Sequence, residues 1–452
     1  MMAVRDARVS VFKQSTIVLV LGWLLAPLNS LTGALVARAI GPEGIGVLLL
    51  LTGLSGVLLA LFSLGLPSAA AYFYKQQRYT LGQIMMICLA LALLSTLVAT
   101  LLLVFLSDDF IRLFMGRVED IAVQPIWIWL TLAGLLPGLI SPLGDVLLIV
   151  DGSMKLYTLK NMGGALLGIA LTWLLVLALR WGIVGVLWSQ LLALFMPMGV
   201  LVYWMFKKRA WASSGLSWAS IKDMLHVGLQ QYGVSLVAMV AKRFDTFLIA
   251  GMLDVREAGY FSIAYTLFNL LANVPRATMW PLVSRLAGRD GKDYTHQLTM
   301  ASRIQFALML VLMLGMGIIT PLFIRVFYGD SFLPGTGAVW AILPAIVVVP
   351  LIVCSSAYFT SQGKPGVLVV PAIVATVAQV VTSITLMPRI GIIGNALGFT
   401  VNQVVVACLL LWSLSRQAKI RHVEMLLVSR ADVEQVCHYG VGWLRHRLVV
   451  SG

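Results

Sequence analysis

Phe110-Ile111-Arg112-Leu113-Phe114-Met115-Gly116 recurs as Phe323-Ile324-Arg325-Val326-Phe327-Tyr328-Gly329, 213 positions further along a chain of 452 residues. Other matches keep the same order at nearly the same spacing. Arg180-Trp181-Gly182-Ile183-Val184-Gly185 returns as Arg389-Ile390-Gly391-Ile392-Ile393-Gly394, and Asp151-Gly152 as Gln362-Gly363. Pro67 returns as Pro275, and Glu43-Gly44-Ile45-Gly46 falls in the same frame as Glu257-Ala258-Gly259-Tyr260. Ordered matches at one long offset mark an internal duplication.

What is duplicated is a set of membrane spans. The chain is 60% hydrophobic and 11% charged, whereas soluble domains carry roughly 25% charged residues. That composition excludes a soluble enzyme, a disordered chain and a disulfide-stapled secreted protein. A bilayer core of about 30 Å takes roughly 20 apolar residues per helix. By that ruler the spans are 14–37, 45–68, 83–106, 125–149, 160–179, 183–206, 227–252, 259–283, 300–324, 337–360, 367–387 and 391–414. The fourth carries Pro137 and Pro142 and is expected to kink there. The first continues without a small-residue cleavage site, so it reads as a retained helix, not a signal peptide.

Six spans per repeat return the chain to its starting side, so the repeats share one orientation and are related by an axis along the membrane normal. The expected fold is an all-α integral membrane protein with about 12 transmembrane helices in two such repeats. Residues 1–206 form an N-terminal six-helix bundle, 207–226 a cytoplasmic linker, 227–415 a C-terminal six-helix bundle and 416–452 a basic cytoplasmic tail. The tail alternates basic and apolar residues, as in Trp443-Leu444-Arg445-His446-Arg447. It reads either as an amphipathic helix on anionic lipid or as a solvated tail.

The net charge of +14 comes from Lys and Arg dispersed through short loops. That is orientation charge at a membrane surface, not a nucleic-acid footprint. With the N-terminus inside, the cytoplasmic loops (among them Lys75 and Arg78, Lys155 and Lys160, Lys207 to Arg209) hold roughly three times the Lys and Arg of the opposite side, which places both termini in the cytoplasm. Cys88, Cys354, Cys408 and Cys437 lie far apart and share no metal-ligand spacing, so they read as packing residues, and no metal site is expected.

Ionisable residues inside spans are costly and point to function. On the seventh span Gln231, Ser235, Ala238, Lys242 and Asp245 share one stripe, with Arg243 about 100° away and near the bilayer midplane. On the eighth, Ser262, Thr266, Asn269, Asn273 and Arg276 share another. Counterparts of Lys242 and Asp245 in the first repeat are Asn29 and Thr32, so the cationic character sits mainly on the second repeat. Arg243, Lys242, Arg276, Asn269, Asn273, Gln231 and Asn29 are the candidate substrate contacts. Asp245, Arg38, Glu43, Asp145 and Asp151 are the candidates for coupling or gating. The plainer alternatives stay open: Lys242 can pair with Asp245 three residues on, Arg276 can brace helices or reach headgroups, and Gln379, Asn395 and Asn402 can bond between helices.

Ala37-Arg38-Ala39-Ile40-Gly41-Pro42-Glu43-Gly44-Ile45-Gly46 resembles a signature of Wzx-type polysaccharide flippases, members of the multidrug/oligosaccharidyl-lipid/polysaccharide (MOP) exporter superfamily. Arg243-Phe244-Asp245-Thr246-Phe247-Leu248-Ile249-Ala250-Gly251, with Glu257-Ala258-Gly259-Tyr260-Phe261, is similar to the family's opening of its second half. The resemblance implies a MATE-like fold and a flippase for undecaprenyl-pyrophosphate-linked oligosaccharide in the bacterial inner membrane. It implies alternating access driven by H+ or Na+ or by the membrane potential, with no bound cofactor. Its partners would be the lipid-linked oligosaccharide, membrane lipids, and a polysaccharide polymerase with its assembly machinery, and no nucleic acid.

Two rival functions fit the residues less well. An enzyme would need a nucleophile or acid and base held against substrate. The longest loop opposite the termini, 107–124, offers only Asp108, Asp109, Glu119 and Asp120 bracketed by Arg112 and Arg117. A cation-coupled multidrug antiporter of the same superfamily would want acidic lumen residues for cationic drugs, whereas the stripes here are basic.

Overall fold

In the computed structural model the described residues are 2–105, 125–208, 217–279, 282–283, 292–362, 364–418 and 425–426. The Phe110–Gly116 copy of the opening motif therefore lies outside the described residues. Among those described, every regular element is a helix, as the long apolar runs dictate.

The chain opens with α1 (Met2–Phe62), two spans fused across a kink at Gly41, whose φ of 72° and ψ of 177° suit glycine alone. A short α2 (Leu66–Lys75) follows, then α3 (Leu81–Phe105). The fourth span is broken into α4 (Pro125–Ala133) and α5 (Leu135–Val150), and the fifth is α6 (Met154–Thr172) continued by a π-helical stretch over Trp173–Ala178. The sixth is broken into α7 (Gly182–Ala193) and α8 (Phe195–Lys207). Both breaks obey one rule: a proline ring displaces the carbonyl four residues before it. Pro137 ends α4 at Ala133, and Pro197 ends α7 at Ala193, while Pro142 is absorbed inside α5.

The second set runs α9 (Trp218–Met252), α10 (Val255–Arg276), α11 (Lys292–Phe327), α12 (Thr336–Ser361), α13 (Val369–Ile390) and α14 (Ile392–Ala418). Ser217 caps α9 by accepting from the Ser220 amide, so the segment expected as a linker is helical from Trp218 onward. Among the described residues nine helical stretches are long and apolar enough to cross a membrane. The fused α1 counts once there, and α9 and α10, the expected seventh and eighth spans, are not among them. Restoring those three gives the twelve expected.

Packing divides the chain into two compact units. The first comprises Met1–Ser262 with Phe323–Pro334, the second Ile263–Leu322 with Gly335–Gly452. The first unit has a core at one end of its bundle where Phe73, Ile84, Ile87, Leu147, Leu148 and Trp204 are all but inaccessible. In the second, α12 is the most buried span. There α14 lies backbone to backbone on α13 through Gly394 and Gly398, spaced as a small-xxx-small pair. A Cβ on Gly398 would sit 2.3 Å from the Ser383 hydroxyl, and one on Gly394 2.6 Å from the Met387 nitrogen.

Two expectations are revised. Lys160, counted among loop charges, lies inside α6 and is fully buried; its cause appears below. In the tail, the described residues Met425 and Leu426 do not lie on lipid. Met425 is 1% exposed in the core of the second unit beside Leu298, Phe359, Leu410 and Leu414, and its carbonyl accepts from Ser302 Oγ at 3.0 Å. At these two positions the chain is packed against the bundle. Cys88 and Cys354 are buried and free, in keeping with a packing role, whereas Cys408 is exposed on α14 and does not share it; Cys437 lies outside the described residues.

Candidate functional site

The eighth-span stripe forms as its spacing requires. In α10 the Arg276 guanidinium donates to Asn269 Oδ1 at 3.1 Å and lies over the Phe268 ring at 5.6 Å, while Asn269 Nδ2 donates to the Tyr265 carbonyl. Asn273 lies between them in sequence and is exposed. Both described partners of Arg276 are neutral, so its charge is oriented without being cancelled, and most of its five N–H donors remain for an anion. Two residues on, Thr278 accepts from Gln305 Nε2 at 2.9 Å, and Gln305 Oε1 is buried with no partner among the described residues. Gln305 was missed in the sequence, although an amide within the apolar ninth span is itself a signal.

The side chains of Gln231, Lys242 and Arg243 lie outside the described residues, so the seventh-span stripe is represented by Asp245, which is buried and engaged in an interaction. Asn29 is exposed on α1. Gln379 and Asn395 are buried among the helices of the second unit, and the Asn395 amide bonds to no described residue, so the inter-helix hydrogen bond left open for it is not seen among the described residues.

The acidic candidates are each committed to a partner. Asp145 accepts from Lys160 Nζ at 2.9 Å and from Asn161 Nδ2 at 2.8 Å, and Lys160 also donates to Ser141 Oγ at 2.8 Å. Asp151 accepts from Tyr74 Oη at 2.7 Å, Ser153 Oγ at 2.6 Å, Trp204 Nε1 at 3.2 Å and Lys208 Nζ at 2.8 Å. It thus joins α2, the turn after α5 and the end of α8. Burial alone would raise its pKa, but the Lys208 ammonium and the three other donors hold it below the ordinary carboxylate value. The Tyr74 hydroxyl, buried and bonded to that carboxylate, is pushed up to about 12.

A depressed carboxylate pKa contributes stability that is present at neutral pH and lost only as pH falls through the folded value, below about 3.9. Asp151→Ala is expected to lower stability by about 2 kcal/mol, since four donors lose their acceptor while Lys208 keeps some access to solvent. Asp151→Asn should cost less. Thermal unfolding in detergent checks both, and a melting temperature unchanged in the alanine chain refutes the assignment.

Arg38 and Glu43 reach different partners. Arg38 donates to the carbonyls of Arg325, at 3.1 Å, and Val326, capping the end of α11. Glu43 faces Arg256 at 3.6 Å with both side chains more than half exposed.

A cavity of about 270 Å³ opens within the first unit, between the second half of α1, α4 with α5, and α7. The proline-induced breaks border it at Gly134 and Leu194. Its lining is mainly leucine, with Thr52, Ser55, Thr131 and Gln190 as the polar groups. Thr52 and Thr131 spend their hydroxyls on carbonyls of their own helices, at 3.1 and 2.7 Å. The side chains of Ser55 and Gln190 bond to no described residue. No charged residue lines this cavity, so it offers hydrogen bonds to a neutral ligand.

The profile of the family described as "Polysaccharide biosynthesis protein" matches residues 35–336, about two thirds of the chain. No curated protein matches in sequence. Among solved structures, a multidrug resistance MATE family transporter of the MOP superfamily in its inward-facing conformation aligns with TM-score 0.71 and 20% identity, covering 87% of this chain and 95% of that one. The lipid II flippase MurJ aligns with TM-score 0.72 and 13% identity, covering 88% and 87%. A MOP superfamily transporter from Pyrococcus furiosus, described as having a binding pocket of reverse polarity, aligns with TM-score 0.56 and 18% identity, covering 89% and 94%. At these identities the likeness establishes the fold.

Proposed function

This chain belongs to the polysaccharide biosynthesis protein family and has the fold of the MOP-superfamily transporters, and from that premise we propose that it flips an undecaprenyl-pyrophosphate-linked oligosaccharide across the bacterial inner membrane. The observation that carries the reading is Arg276, an exposed guanidinium at the end of α10 that is held by neutral partners. A guanidinium whose described partners leave its charge uncancelled suits an anion, and a pyrophosphate presents oxygens that its fork matches.

In this reading the two six-helix halves alternate access around a cationic central cavity. Arg276, Arg243 and Lys242 meet the pyrophosphate, and Asn269, Asn273, Gln231 and Asn29 meet polar groups near it. The uncharged cavity with Ser55 and Gln190 suits sugar hydroxyls, and the polyprenyl tail stays in the bilayer. Asp245 and Asp145 are the acids placed inside spans where H+ or Na+ coupling can act, and the basic loops orient both termini to the cytoplasm.

The test is a deletion strain assayed for surface polysaccharide and lipid-linked oligosaccharide together. Loss of surface glycan with completed lipid-linked units held on the cytoplasmic side is the expected result. Unchanged glycan with heightened sensitivity to cationic drugs would instead make the chain a multidrug antiporter. Within the same strain, Gln190→Leu should cut glycan export severalfold without lowering the amount of protein. Full export by that variant removes the cavity from the substrate path.

A further inference from the structure

Two turns of the first unit meet through a pair of glycines in a reciprocal pattern. A Cβ built on Gly46, in α1 just after its kink, would lie 2.0 Å from the Val255 carbonyl oxygen. A Cβ built on Gly259, in the first turns of α10, would lie 2.0 Å from the Pro42 carbonyl oxygen. Both numbers shift by 213 from one repeat to the other: Gly46 becomes Gly259, and Pro42 becomes Val255. Each repeat therefore lays the same glycine on the same carbonyl of the other, as a two-fold axis would require.

Backbones approach this closely only where side chains are absent, and the contact they make is a weak Cα–H···O bond. The rest of the junction is also separable. Glu43 and Arg256 flank it with a long, exposed ion pair, while Val255, Ala258 and Tyr260 are buried behind it. The opposite end of the same α1 span is attached differently. There Gly65 abuts the Gly228 carbonyl, and strong bonds reinforce the contact: Tyr232 Oη donates to the Ala60 and Leu61 carbonyls, and Arg78 and Tyr79 hold Asp223 at 2.7 Å each. One end is bolted through side-chain hydrogen bonds, while at the other the backbones themselves meet, flanked by the exposed Glu43–Arg256 pair and by Val255 packed into the core with Val47 and Leu51.

We propose that the Gly46–Val255 and Gly259–Pro42 contacts form a two-fold clasp that closes this end of the transporter and parts in each transport cycle. The clasp as a moving part rests on the transport reading above; the clasp as a closure does not. An alanine Cβ would need about 3.3 Å from a carbonyl oxygen, so either substitution holds the turns apart.

The test uses Gly46→Ala and Gly259→Ala, with Gly33→Ala and Gly251→Ala as controls because a Cβ there meets nothing within 4 Å. Each is combined with Tyr260→Cys, a buried position behind the junction, and labelled with a maleimide in detergent above the background of the parent cysteines. Labelling should rise severalfold for the first two and stay at the parent level for the controls. Unchanged labelling in both clasp variants overturns the proposal, whatever the chain carries. Raised labelling with a normal deletion-strain phenotype keeps the closure and overturns the flippase reading.

Should the alanine chains fail to accumulate, Glu43→Cys with Arg256→Cys supplies a second measure. A short bis-methanethiosulfonate should bridge them, each cysteine thiolate displacing a methanesulfinate to form a disulfide, and halt glycan export until the bridge is reduced. Failure to bridge, or full export by the bridged protein, overturns the clasp.

Discussion

Lys160→Met is expected to destabilise the folded protein by about 3–5 kcal/mol, the cost of removing one partner of a buried ion pair. The Lys160 side chain is wholly inaccessible, and its ammonium is placed by Asp145 and Ser141. Without it the Asp145 carboxylate keeps only Asn161 among its described partners and a side chain that is 29% exposed, which places the loss toward the low end of that range. The companion prediction separates the pair from its parts. Asp145→Leu combined with Lys160→Met should regain most of the loss, since replacing a whole buried pair with apolar side chains is often near neutral. Thermal unfolding of the purified single and double variants measures both. A single variant as stable as the parent would show that the ammonium is not bound as described. If the double variant folds normally yet loses transport, the Asp145–Lys160 pair is retained for coupling and not for stability.

The same pair shows where reading the sequence reaches its limit. Lys160 sits at the edge of an apolar run, so by hydropathy it belongs to a loop. What buries it is α6 starting earlier, at Met154, and bringing Lys160 against an acid fifteen positions back on a different helix. Pairing across helices has no periodic signature. The twelve spans were legible as apolar runs of bilayer length, and so was Pro137, which breaks the fourth. The stripe on α10 was legible because Asn269 and Arg276 recur at helical spacing on a single element. Ser55 and Gln190 were not, because each is an unremarkable polar residue on its own helix and only the fold makes them neighbours of one cavity. Arg38 was flagged, but its partners are backbone carbonyls, which every sequence contains and no sequence marks. The duplication was readable in the motifs but not at single glycines: setting Glu43-Gly44-Ile45-Gly46 against Glu257-Ala258-Gly259-Tyr260 is one residue off the 213 offset that relates the two reciprocal contacts.

Arg276→Ala is expected to reduce glycan export by roughly 10- to 100-fold, the range for losing a hydrogen-bonded contact to a charged group. The protein should insert and accumulate as the parent does. The reasoning follows from its partners. Asn269 and Phe268 hold the guanidinium in place, and neither neutralises it. Removing it therefore leaves one amide oxygen to find water at an exposed position, a small structural cost, while the anion site loses its fork. Arg276→Lys discriminates further. A brace against Asn269 or a headgroup contact needs only a positive donor, and lysine would serve. Paired bonds to a pyrophosphate need the planar fork, so lysine should restore little of the export. Arg243→Ala should behave as Arg276→Ala does, since both are assigned to the same phosphate. Export and lipid-linked oligosaccharide measured side by side in the deletion strain give the answer. Normal export in both alanine variants would exclude a cationic substrate path. Full rescue by lysine would reassign Arg276 to holding helices together.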